Sequence, residues 1–137
     1  FPTWEHQETK YVKPEFHDFL NNVLDNKPSE GFNKISSYAE VMYEKDVEDE
    51  EIINKLSEFH VWSDSYIQER RNWKPEKPMK VVFLRTVKIP EFNLPLEAKF
   101  SGCKSWIELN SDFESGETAL SDNEINEKLQ KFKEIVE

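Results

Sequence analysis

The segment Met79-Lys80-Val81-Val82-Phe83-Leu84-Arg85-Thr86-Val87-Lys88-Ile89 constrains the fold of this chain more than any other. It is dense in β-branched and aromatic residues and bounded by Pro78 and Pro90, which reads as a strand. Alternation puts Lys80, Val82, Leu84, Thr86 and Lys88 on one face, with Val81, Phe83, Arg85 and Val87 on the other. A guanidinium on an apolar face needs a partner, either an acid of the same chain or a bound anion. Upstream, Arg70-Arg71-Asn72-Trp73-Lys74-Pro75-Glu76-Lys77-Pro78 forms a stiff, extended approach. Downstream, a loop is expected from Pro90 to Pro95, then short strands over Leu96–Phe100 and Ser105–Leu109. Such a short return favours antiparallel pairing, because a parallel crossover needs a dozen or more residues.

Around that strand the patterns are mostly helical. Pro14 suits a first helical turn, and Phe16, Phe19, Leu20, Val23 and Leu24 recur at helical spacing up to Asn26-Lys27-Pro28. Ile35 to Lys45 alternates as a strand, with Ala39, Val41 and Tyr43 opposite Tyr38, Glu40 and Met42. Val47 to Phe59 reads as a helix with Ile52, Ile53, Leu56 and Phe59 inward and acids crowding its first turn. Ser63 is an N-cap for a helix over Asp64–Arg71, with Tyr66 and Ile67 inward, stopped by Trp73 and Pro75. Asn110 to Leu120 reads as a loop. Ser121 and Glu124 form a capping box for a C-terminal helix with Ile125, Leu129, Phe132 and Val136 on one side. The expected fold is α+β: a small, mostly antiparallel sheet, barrel-like in outline, packed with three to four helices. With 137 residues and 36% of them hydrophobic, residues 1–137 suit a single domain.

The net charge of −10 is unevenly spread. Glu40 to Glu58 holds eight acids against Lys45 and Lys55, a balance of −6. His60 to Lys104 carries a balance of +4, and Glu108 to Glu137 returns to −6. The acidic total argues against indiscriminate binding of polyanions, while the basic centre leaves room for a focused anion site. No apolar run approaches the roughly 20 residues of a membrane span, and no charged-then-apolar leader is seen. The chain starts at Phe1 without Met, which reads as a fragment or a processed product. The lone Cys103 excludes an internal disulfide and fits a reducing, cytoplasmic setting.

Several motifs occur together in a fixed order. They are Phe1-Pro2-Thr3-Trp4-Glu5-His6-Gln7, Lys13-Pro14-Glu15-Phe16, His60-Val61-Trp62, Arg71-Asn72-Trp73-Lys74-Pro75 with Lys77-Pro78, Leu84-Arg85, and Gly102-Cys103-Lys104-Ser105-Trp106. In these the chain resembles the prokaryotic family called domain of unknown function 1802, over residues 1–109. Residues 110–137, a loop and an acidic helix, lie beyond the resemblance. Family members usually carry a further N-terminal segment with an Arg-Lys-Gly-Gly type motif, which this sequence does not contain. The resemblance brings no established activity. The general layout is similar to small RNA-binding barrels of the PUA and ASCH kind, an analogy of fold alone.

The basic–aromatic stretch over residues 60–106 is the leading functional candidate. Arg70, Arg71, Lys74, Lys77 and Arg85 are phosphate-binding side chains, and Trp73 and Trp106 offer faces on which bases stack. His6, in the polar cluster Glu5-His6-Gln7, could line a pocket or simply hydrogen-bond its own loop. The expected function is non-catalytic binding of a nucleotide or of single-stranded RNA or DNA, with no cofactor and no metal. The bland alternative makes the tryptophans core, the lysines solvated and Arg85 internally paired. A second class is enzymatic. Glu91, Glu97 and Lys99 match a metal-dependent nuclease element, and Cys103 beside Lys104, with His6 or His60 as base, matches a thiol enzyme. His6, His17 and His60 lack zinc spacing. A third class is a protein-interaction module, in which the acidic helices dock on the basic centre within the chain or across a homodimer.

Overall fold

Pairing between the two longest strands organises the molecule. The computed structural model describes residues 8–26, 30–95 and 116–137. In order, the elements are α1 (His17–Asp25), β1 (Phe32–Val47), α2 (Glu50–Lys55), α3 (Asp64–Trp73), β2 (Met79–Pro95), β3 (Glu117–Thr118) and α4 (Asp122–Val136). Short 3-10 turns precede α1 and follow α2. The sheet is antiparallel in the order β1-β2-β3. The α+β class is as the sequence implies. Among the described residues, however, the sheet is open and does not close into a barrel.

β2 alternates as expected: Phe83 and Val87 are buried, while Val82 and Leu84 are exposed. It differs from expectation at its far end. Instead of a loop, Pro90 to Pro95 continues the strand and pairs with Phe32–Ile35 of β1. Pro90 lacks an N–H for a regular ladder, and it falls at an irregularity where Ile89, Pro90 and Glu91 face the single Ser36. β1 is interrupted in turn by a bulge at Met42. Val41 pairs with the outward Leu84, whereas Tyr43 pairs with the inward Phe83. The expected single face of Ala39, Val41 and Tyr43 is therefore split by one extra residue.

β1 runs to Val47, a buried core residue, so the next helix starts later than its apolar pattern implies. Asp49 caps α2 by accepting from the Glu51 and Ile52 amides. Ser63 caps α3 through the Tyr66 amide, and the Ser121–Glu124 capping box opens α4. Phe132 of α4 sits among Tyr43, Phe59 and Phe83, with ring centroids 5.4–6.1 Å away in edge-to-face contacts. Val47, Ile53, Leu56, Ile125 and Val136 complete that core. The apolar stripe of α1 has a different fate, with Phe19 and Val23 exposed.

The expected loop over Asn110–Leu120 contains β3, which pairs with Val87 and Lys88. Gly116 permits this, since a Cβ there would stand 1.6 Å from the Lys88 carbonyl oxygen. The expected strands Leu96–Phe100 and Ser105–Leu109 lie outside the described residues. No helix among the described residues is long and apolar enough to cross a membrane.

Candidate nucleic-acid interface

The position of α3 is set by its first residues. Ser63 donates from its hydroxyl to the Lys10 carbonyl at 2.8 Å, and its amide donates to the Tyr11 carbonyl at 2.9 Å. Val12 and Trp62 form an isolated antiparallel bridge. Lys13 adds hydrogen bonds from its ammonium to the Ser57 and His60 carbonyls. Trp62 and Tyr66 pack against each other at 4.8 Å, and Tyr66 meets Tyr11 edge-on at 5.4 Å. These aromatics anchor the start of α3. They leave its last turn, Arg70–Trp73, to face the approach into β2.

That approach is a tight turn, closed by the Lys77 amide donating to the Lys74 carbonyl at 3.0 Å. Pro75 and Pro78 stiffen it. The turn folds Lys74 and Lys77 back beside the end of α3. The result is a groove of about 460 Å³ lined by Arg70, Arg71, Trp73, Lys74, Lys77, Pro78, Met79 and Lys80. No carboxylate lines it. Trp73 is 66% exposed, and the Arg70 guanidinium stands 4.7 Å from its ring centroid.

The cations of this groove are not equivalent. Arg71 is the most enclosed, its side chain 23% exposed, and its Nη1 lies 3.0 Å from Glu50. Glu50 also accepts from Gln68 at 3.1 Å, and the hydrogen bonds from Arg71 and then Gln68 hold its carboxyl below the usual carboxylate range. Lys80 pairs with Glu44 at 3.3 Å and with Asp46 at 3.6 Å, which raises its pKa. Arg70, Lys74 and Lys77 have no carboxylate partner among the described residues.

Five of the candidates named from sequence, Arg70, Arg71, Trp73, Lys74 and Lys77, therefore share one groove with Lys80. Arg85 does not join them. It points to the covered side of the sheet, where its Nη2 lies 2.8 Å from Asp122 and its Nε is buried without a partner. That is the internally paired alternative, and it removes Arg85 from the phosphate-binding set. His6 and Trp106 lie outside the described residues, as do Glu97, Lys99 and Cys103. Glu91, the remaining member of the nuclease triplet, pairs with Lys34 at 3.1 Å. His60 has a buried Nδ1 without a partner, and burial, then the nearby Lys13 charge, lowers its pKa. Among the described residues, no group of three or more His, Cys, Asp or Glu could hold a metal ion.

The acidic helices do meet basic residues within the chain: Glu50 of α2 on Arg71, Asp122 of α4 on Arg85, and Lys131 of α4 on Glu58 at 2.6 Å. Residues that sequence reasoning passed over also border the groove. Gln68, Asn72 and Glu76 line an adjoining cavity with Arg71 and Lys77. Asn72 and Glu76 belong to the same motif as Trp73, which is the signal that could have found them.

A family model described as Domain of unknown function (DUF1802) matches residues 1–131. The chain belongs to that family. The DUF1802 match extends past Leu109 and into α4, so the C-terminal helix that seemed to lie beyond the resemblance is largely part of it. No curated protein and no solved structure matches the chain. The groove residues of this DUF1802 chain all fall within the matched region.

Proposed function

We propose that this chain binds single-stranded nucleic acid, or a nucleotide of the same chemistry, in the Arg70–Lys80 groove, without catalysis. The observation that carries this reading is a groove lined by Arg70, Arg71, Lys74, Lys77 and Lys80 around an exposed Trp73, with no carboxylate in its wall. Cationic side chains track a phosphate backbone, and an indole face accepts any unstacked base. Arginine adds a planar fork matched to phosphate oxygens. A duplex has no free base face for Trp73, so the single strand is the better ligand. Elsewhere the chain is acidic, which confines polyanions to this corner. The single Cys103 fits a cytoplasmic setting for such a partner.

The test is fluorescence anisotropy with short labelled single-stranded RNA and DNA and their duplexes, at two salt concentrations, with mononucleotide as competitor. Preferential single-strand binding that weakens with salt and is lost in Trp73→Ala and Lys74→Gln supports the reading. Efficient competition by the mononucleotide would assign the groove to a nucleotide. No binding at low salt sinks it.

A further inference from the structure

The basic groove has a neighbour of different character. A second cavity, of about 450 Å³, shares Arg71, Lys77 and Met79 with it. Its size falls in the range of about 300–1,000 Å³ common for small-molecule clefts. Val47, Ile53 and Met79 supply apolar surface, the first two from the buried core. Glu48, Gln68, Asn72 and Glu76 supply polar edges. Gln68 is committed to Glu50, whereas Asn72 and Glu76 make no side-chain hydrogen bond or ion pair with the described residues.

An apolar wall with a few polar groups at its rim suits a flat base removed from its stack. A phosphate is unwelcome there, because Glu48, Glu50 and Glu76 all line the cavity. The two cavities thus divide a nucleotide between them, phosphate on the cationic side and base on the mixed side. The choice of base follows from donor and acceptor chemistry. An ionised carboxylate only accepts, while an amide such as Asn72 also donates. Guanine presents two adjacent donors, N1–H and the 2-amino group, beside the acceptor O6. Uracil would turn carbonyl oxygens toward the carboxylates, and adenine offers a single donor group on that edge.

We propose that this cavity reads a guanine base, with the Glu76 carboxylate accepting from N1–H and the 2-amino group and the Asn72 amide donating to O6. The inference rests on the phosphate-binding reading of the neighbouring groove. Glu76 is the apt reader because it sits in the Lys74–Lys77 turn, between the residues that would hold the adjoining phosphates.

The test compares a short uridine-only RNA with the same strand carrying one central guanosine, inosine or adenosine, by anisotropy at low salt. The guanosine strand should bind at least about fivefold more tightly than the uridine strand, as a bidentate base contact implies. Inosine, which lacks the 2-amino group, should lose most of that advantage. Glu76→Gln should bring the guanosine-to-uridine ratio close to one, with circular-dichroism melting to check its fold. The guanosine–inosine comparison on the unaltered chain needs no variant. Equal binding of all four strands overturns the guanine assignment and leaves the groove standing, and so does a guanine preference that survives both Glu76→Gln and Asn72→Ala. Failure of every strand to bind overturns both readings.

Discussion

Glu50 holds the most enclosed cation of the groove, so removing its charge should alter how the groove meets phosphate. Of the groove's cations, Arg71 and Lys80 already face carboxylates, which leaves Arg70, Lys74 and Lys77 for a ligand. If each neutralises one phosphate, log K should fall against log salt with a slope of about −2, from roughly −0.7 per phosphate on a single strand. Glu50→Gln keeps a hydrogen-bonding partner for Gln68 and frees the charge of Arg71, which should steepen the slope to about −2.8. Affinity at low salt should rise roughly two- to fivefold, the factor by which exposed ion pairs commonly compete. Lys74→Gln should move the slope the other way, to about −1.4. The assay is anisotropy of one labelled oligonucleotide over a salt series, repeated for each variant. A slope near zero, or one indifferent to both substitutions, would refute the assignment of these cations to phosphate.

Other expectations concern stability. Phe132→Ala removes the ring shared by Tyr43, Phe59 and Phe83 and should cost about 3–5 kcal/mol, read from urea unfolding. An unchanged midpoint would mean that α4 does not seal the core. Gly116→Ala drives a Cβ into the Lys88 carbonyl and should cost about 1–3 kcal/mol. It should also remove hydrogen-exchange protection at Ala119, whose amide donates to Thr86; retained protection would show that β3 pairs in another way. His60 has its folded-state pKa below the ordinary 6.5 through burial, then through the Lys13 charge. The unfolded chain therefore takes up that proton first, so stability is full above pH 6.5 and declines as pH falls below it. Glu50 and Glu124, lowered from 4.5, act only in a more acidic window. Unfolding midpoints at pH 7.5 and 5.5 for the unaltered chain and His60→Gln check this, and equal acid sensitivity of the two would exclude His60 as the cause.

Local signals in the sequence carried far. The Ser63, Asp49 and Ser121 caps satisfy amides within three residues, and the α4 stripe follows a 3.6-residue period, so neither needs distant information. The same holds for the inner and outer faces of β2 and for the cluster of Arg70, Arg71, Trp73, Lys74 and Lys77, which a helix end and a proline-stiffened turn bring together over a few residues. Wherever a partner lies far along the chain, tertiary structure decided. Pro90–Pro95 reads as a loop until Phe32–Ile35 pairs with it, and residues 117–118 form a strand only against Val87 and Lys88. The Met42 bulge reverses the faces of β1 because the ladder to β2, more than β1's own alternation, sets its register. Arg85 shows the division most clearly. Its own strand says that it needs an anion, and only the packing of α4 supplies Asp122 in place of a ligand.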